Sequence, residues 1–314
     1  MCIRDSGTTN NGTSNHNLLL TAWNANGTVS WSKWISIDGT QNNTTSTVSA
    51  TGGGLVGVDS SDNIYVVVNG GSSSTSHVMK FNSSGTVLWQ KNIQRIFTNP
   101  FNNTLTAWGD ATVSKSGDIY LRAYRGSGND EGIVKLNSSG AVQWVKSFPG
   151  NGSDTTSGKT DDQGNLWLLS YDARIICVDS NGNIIRRMQI TTSGAGGFTY
   201  GFTVDEGYIT IIVAQRYLGP QTTFTRESNL GVFRFEVSGV NNGSYTHTNS
   251  DGSTLTVTVS SPSTSSASSY SNPSVSNSSV SVINYPGNGS LRFNNGTCTN
   301  FTNSSPPNSS TLTV

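Results

Sequence analysis

The side chains best placed to bind a ligand are Phe101, Trp108, Arg122, Tyr124 and Tyr171. Aromatic rings offer flat apolar faces beside polar tips, and a guanidinium pairs with oxygen acceptors through a planar fork. Such a set suits a sugar hydroxyl or carboxylate. Arg122 is the odd member of its segment, since the corresponding positions elsewhere in the chain are Val67, Leu169 and Ile212. A buried unpaired charge is costly. Arg122 therefore needs either a structural partner (Asp130, Glu131, Asp172 or a backbone carbonyl) or a ligand. Phe97, Phe148, Phe198, Tyr200 and Tyr217 fall in the same kind of connecting segment, where some rings would anchor loops on the core.

Catalytic and metal chemistry finds little support. His16, His77 and His247 occupy unrelated repeat positions, so no metal-ligand spacing emerges. No Gly-x-Ser-x-Gly nucleophile elbow is present. Asp179-Ser180-Asn181-Gly182-Asn183 begins like a calcium loop but lacks the distal glutamate, and reads as a plain turn. Cys2, Cys177 and Cys298 make no disulfide framework. Cys177 sits where a repeat strand needs a small hydrophobe. The expectation is a non-enzymatic protein with no cofactor and no metal.

A repeat positions the candidate residues. Lys80-Phe81-Asn82-Ser83-Ser84-Gly85-Thr86-Val87-Leu88-Trp89 returns as Lys135-Leu136-Asn137-Ser138-Ser139-Gly140-Ala141-Val142-Gln143-Trp144. An earlier copy is Ala22-Trp23-Asn24-Ala25-Asn26-Gly27-Thr28-Val29-Ser30-Trp31, and later ones surround Gly182 and Gly239. The five glycines lie 58, 55, 42 and 57 residues apart. β-rich units at about 40–50 residues indicate a propeller or an array.

Each copy is preceded by an apolar run such as Ile64-Tyr65-Val66-Val67-Val68 or Leu166-Trp167-Leu168-Leu169. β-branched and aromatic runs bounded by Gly, Asn and Asp read as strands, and runs apolar on both faces need cover on both. With a weaker strand before and the segment after the glycine, the unit has four antiparallel strands, a to d. Four-stranded units in radial repetition make a β-propeller. In strand d, the residues two, four and six after the glycine are Val, Trp and Lys in three copies; strict alternation puts them on one face. They read as interblade packing, with the lysine stem lying over the indole.

Turns a–b and c–d are short, with Gly or Asn supplying positive φ. Connections b–c (69–76, 125–131, 215–229) and d–a (38–54, 94–109, 148–157, 191–200) are long and unlike one another. Alternate turns of an antiparallel sheet lie at one end. One rim is therefore tight, and the other carries the variable loops, where function collects on a rigid scaffold. The five candidate ligand residues all map toward that looped rim.

The Asn-x-x-Gly and Gly-x-x-x-Trp elements of residues 82–89 and 137–144 resemble the repeats of quinoprotein-like propellers. The whole unit is closer to the seven-bladed-propeller-type repeats of bacterial surface proteins and of marine phage structural and tail proteins. The resemblance covers roughly residues 15–240. It implies a non-catalytic binding or structural role on a virion, tail or cell surface. The expected partners are a cell-surface glycan or protein and other virion or surface proteins. The alternative it leaves is a piece of a propeller enzyme, either a glycoside hydrolase or lyase or a quinoprotein dehydrogenase. The sialidase-type Asp-box is not matched, because Ala25, Ser83 and Ser138 stand where it needs aspartate.

Composition agrees with an extracellular or virion setting. The 314 residues include 18 basic and 18 acidic side chains, so nothing calls for nucleic acid or an anionic membrane. No apolar run approaches the ~20 residues of a spanning helix. Residues 1–14 are expected to be a translated adapter artefact and disordered leader, and 15–240 the propeller repeats. These amount to about four blades plus a half, as in a fragment. Residues 241–314 hold 32 Ser or Thr in 74 positions, and only Asp251 and Arg292 are charged. This low-complexity extension is expected to contain one hairpin over Tyr245–Val259 and a linker over Ser260–Ser279. Alternatively, Thr254–Val259 and Val280–Ile283 complete the first blade.

Overall fold

The computed structural model describes residues 2–10, 16–26, 28–36, 53–69, 75–94, 111–123, 131–148, 155–170, 174–192, 197–205, 207–216, 228–236, 242–248, 254–260, 268–269, 275–277 and 281–284. Among them the chain is strand and turn only, in five antiparallel sheets. The protein is a β-propeller. Its first blade holds β1 (Cys2–Asn10), β2 (His16–Trp23) and β3 (Val29–Ser36). The second holds β4 (Gly53–Val58), β5 (Ile64–Asn69), β6 (Thr75–Phe81) and β7 (Val87–Gln94). The third holds β8 (Ala111–Val113), β9 (Ile119–Ala123), β10 (Glu131–Leu136) and β11 (Val142–Phe148). The fourth holds β12 (Thr155–Thr160), β13 (Leu166–Ser170), β14 (Arg174–Val178) and β15 (Ile184–Thr192). Among the described residues the fifth holds β16 (Gly197–Asp205), β17 (Tyr208–Arg216) and β18 (Ser228–Glu236).

Successive blades pack face to face. Strand contacts run from β1 to β4, β4 to β8, β8 to β12 and β12 to β16. Four apolar clusters fill the gaps, one per neighbouring pair. Strand alternation dictates who points where. Ile64, Ile119, Leu166 and Ile209 hold one repeat position, are buried, and pack back on the preceding blade. The next residues, Tyr65, Tyr120 and Trp167, are buried facing forward.

Strand d corrects the one-face expectation. Val87 pairs with Phe81 but Trp89 pairs with Lys80, so Leu88 is an extra residue. The same shift places Ser30, Gln143 and Ile185 in bulges of β3, β11 and β15. A bulge of one residue flips the side chains beyond it to the other face. Val87 and Val142 therefore join the cluster shared with the preceding blade, whereas Trp89 and Trp144 join that shared with the next. The bulged Leu88 and Ile185 are left exposed. The a–b turns carry a second departure: Asp62, at φ 58°, takes the positive-φ place that Gly117 and Gly164 hold in the next two blades.

The extension runs back around the blades. It forms β19 (Gly243–Thr248) and β20 (Thr254–Ser260), paired as a hairpin, then β21 (Ser268–Ser269), β22 (Val275–Asn277) and β23 (Ser281–Asn284). β20 pairs with β15, β21 with β11, β22 with β7 and β23 with β3, each antiparallel. Fourth, third, second and first blade thus each gain an outer strand, in that order. Where the sequence suggests linker, the chain supplies two short strands, because an open sheet edge needs only backbone groups from its partner. The two segments considered as completing the first blade part company: Ser281–Asn284 reaches it, while Thr254–Ser260 joins the fourth. Residues 2–10, expected to lie outside the fold, pair with β2 as β1 for the same reason.

Candidate functional site

The tight-turn rim is built of polar residues whose partners lie within the protein. In the second blade, Asp59 Oδ1 accepts the backbone N–H groups of Ser61 and Asn63, both at 2.9 Å. Its Oδ2 accepts Asn63 Nδ2 and the Tyr65 hydroxyl, again at 2.9 Å, and Lys80 Nζ stands 3.4 Å away. Asp161 repeats the arrangement in the fourth blade, with Trp167 Nε1 donating to it at 3.0 Å. The third blade moves the acid. Ser114 takes the turn position, and Asp118, four residues on, pairs with the buried Lys135 at 2.9 Å. The c–d turns use Asn82, Asn137 and Asp179, each accepting the N–H groups two and four residues on.

Each c–d turn is also clamped by the blade before it. Trp31 Nε1 donates to the Ser83 carbonyl at 2.9 Å, Trp89 to that of Ser138 at 3.1 Å, and Trp144 to that of Ser180 at 2.9 Å. Lys135 Nζ reaches the same Ser180 carbonyl at 3.1 Å, and Lys146 Nζ bonds the carbonyls of Asn181 and Gly182. The glycine of the motif is needed twice over. Gly85 has φ +77°, and a Cβ there would sit 2.8 Å from the Trp31 ring. The recurring Gly-x-x-x-Trp is therefore half of two different contacts: its glycine receives the preceding blade and its tryptophan holds the following one.

Electrostatics support a structural reading of this rim. Burial works against charge on Asp59, yet the hydrogen bonds from Asn63, Tyr65 and Ser61 outweigh it and hold the carboxyl below its ordinary range. Asp179 behaves alike: burial opposes the charge, but bonds from Asn183 and Asn181, with Lys146 nearby, prevail. Both stay ionised and engaged. Tyr65 and Tyr120 are pushed up by burial and then by neighbouring acids, and the Cys177 thiol is pushed up chiefly by burial. None of these groups is poised for proton transfer near neutral pH. Among the described residues, no cluster of His, Cys, Asp and Glu could hold a metal.

Of the five predicted ligand residues, the structure describes the backbone of Arg122. Arg122 lies in β9, opposite Ile133 of β10. Its side chain, together with Phe101, Trp108, Tyr124 and Tyr171, lies outside the described residues. Sequence reasoning found the tryptophan stripe but passed over Asp59, Asp118, Lys80 and Lys135. Their signal was present in the lysine that stands two residues before Asn82 and again before Asn137, in blades that each carry an acid in the a–b turn.

No family model matches the chain, and no curated protein matches it. Among solved structures, it is similar to the crystal structure of a DUF4623 family protein from Bacteroides eggerthii. Identity is 10%, the match covers 81% of this chain and 70% of that one, and the TM-score is 0.34. A likeness at that level says nothing about function.

Proposed function

We propose that this protein is a non-catalytic binding or structural propeller of a virion, tail or cell surface, recognising a glycan or protein through its looped rim. The observation that carries the reading is the occupation of the other rim. Asp59, Asp161, Asn82, Asn137 and Asp179 are engaged in their own turns, and Lys80 and Lys135 bridge to the next blade. These groups already have partners inside the protein. The opposite ends of the same strands are joined by residues 37–52, 70–74, 95–110, 124–130, 149–154, 171–173, 193–196 and 217–227. These connections carry Phe101, Trp108, Tyr124 and Tyr171, with Arg122 one strand residue away from the third-blade connection. Stacking rings beside a guanidinium favour a sugar bearing hydroxyls or a carboxylate.

The test is glycan-array binding by the full chain, by Trp108→Ala and by Arg122→Ala, with thermal unfolding as a check on folding. Loss of signal in both folded variants is the expected result. Equal binding by all three would exclude this site.

A further inference from the structure

The fourth blade carries a polar row across one of its faces. The hairpin widens that sheet to the order β12, β13, β14, β15, β20, β19. Register aligns Arg174 with Gln189, Gln189 with Thr258, and Thr258 with Ser244, so each of four adjacent strands gives one residue. Residues paired across an antiparallel sheet share a face. Here it is the face of Ile176, toward the third blade, since Met188, Ile190, Val257 and Val259 fill the opposite side. Arg174 Nε donates to Gln189 Oε1 at 3.0 Å, and the Ser244 and Thr258 hydroxyls lie 3.1 Å apart. Beside the row, Arg187 stands opposite Ile176, and Thr246 and Thr256 pair their hydroxyls at 2.9 Å. The outer end is open to solvent: Ser244 and Thr246 are exposed, and Thr256, Thr258, Gln189 and Arg174 are half-buried. The inner end is positive. Burial and then the Arg174 charge pull the Arg187 guanidinium below its ordinary value. Like charges held near one another carry a cost that an anion relieves. Among the strand residues of the facing third blade Glu131 is the only acid, against Arg122, Lys135 and Lys146.

We propose that this row binds an anionic saccharide, with the acid group on the Arg174 and Arg187 guanidiniums and the ring hydroxyls on the Gln189 amide and the paired Ser and Thr hydroxyls. Its chemistry favours this occupant. A guanidinium fork matches the oxygens of a carboxylate or sulfate. A hydroxyl donates once and accepts twice, so a pair already bonded together still takes a further oxygen. Strands spaced ~4.8 Å apart stretch the row over about 14 Å, the reach of a short oligosaccharide. Protein partners are held by buried aromatic and aliphatic anchors, whereas this row is guanidinium, amide and hydroxyl throughout. The site needs none of Phe101, Trp108, Tyr124 and Tyr171, so it is independent of the looped-rim reading.

Isothermal titration calorimetry of the full chain tests this. Trigalacturonate serves as the carboxylate probe, a heparin-derived tetrasaccharide as the sulfate probe and maltotriose as the neutral one. At least one acidic probe should bind about tenfold more tightly than maltotriose, and added salt should weaken it. Arg174→Gln should abolish that preference and bring the acidic probe down to the level of maltotriose; Arg187→Gln takes its place should that variant fail to fold. A Thr246→Val/Thr258→Val double variant keeps shape and strand propensity while removing two hydroxyls. It should lower affinity several-fold and leave the salt dependence in place. Thermal unfolding checks that each variant is folded. Failure of both acidic probes to bind the wild type at millimolar concentration would overturn the proposal. So would unchanged binding in the folded double variant, which would put the saccharide on another surface.

Discussion

Three blade interfaces are closed by a tryptophan that the repeat supplies, and the fourth by a hairpin from the far end of the chain. Between first and second, second and third, and third and fourth blades, an indole donates to a turn carbonyl. At the fourth blade Arg186 replaces that tryptophan, and among the described residues the fifth blade has three strands. There β20 lies along β15 and brings Val257 and Val259 into the cluster with Met188, Ile190 and Phe202. Tyr245 of β19 meets Phe235 of the fifth blade edge to face, ring centroids 5.8 Å apart. The same gap between sheets is thus closed either by a polar clamp and a lysine stem or by plain apolar burial. Where the repeat decays, a segment remote in sequence takes over the packing.

The two kinds of interface should break differently. Val257→Asp places a charge in the apolar one and should cost roughly 3 kcal/mol. Hydrogen exchange should then rise in β15–β18 and stay unchanged in β5 and β9, which locates the damage. Gly85→Ala attacks a clamped interface instead. The left-handed backbone and the Trp31 ring together should cost about 2 kcal/mol, read as a lower denaturant midpoint with an unchanged slope.

Acid should separate the two kinds again. Asp59 and Asp179 have carboxyls held below the ordinary aspartate value of 3.8, so the folded state binds their protons less readily than the unfolded one. Their stabilisation is complete above that value and is lost as pH falls through the lower, folded one. Below pH 3.8 the turns of the second and fourth blades should loosen, and protection of the Val257 cluster should fall less, as seen by exchange at a series of pH values. The smallest effect is expected for Trp144→Phe. It keeps most of the ring but removes the Ser180 hydrogen bond, for about 1 kcal/mol.

Much of this division was legible in the chain. The glycine register and the apolar runs gave the blades, and the missing tryptophan at Arg186 marked where the pattern fails. The bulges at Leu88, Gln143 and Ile185 were not legible, since one extra residue leaves no compositional trace while it reverses a face. Nor was the path of the extension. Ser268–Ser269 and Val275–Asn277 are held by backbone bonds to a neighbouring edge, which side-chain pattern does not encode. The tryptophan clamp could be read as packing, but its acceptor, a carbonyl in the next blade, is a fact of geometry alone. The ligand set around Trp108 and Arg122 came from the placement of rings and charge on long connections. Apart from the backbone of Arg122, its parts lie beyond the residues that the structure describes.

The central claim is that indole-to-carbonyl clamps tie successive blades together and so occupy one rim. Solvent exchange of the tryptophan indole N–H protons, followed by NMR with single Trp→Phe variants for assignment, tests it most directly. Trp31, Trp89 and Trp144 have partly exposed rings, so without the clamp their indole protons would exchange freely. The account predicts that all three are protected, and that Gly85→Ala selectively speeds exchange at Trp31. Exchange of the three at the rate of a free indole, in a chain otherwise folded, would contradict it.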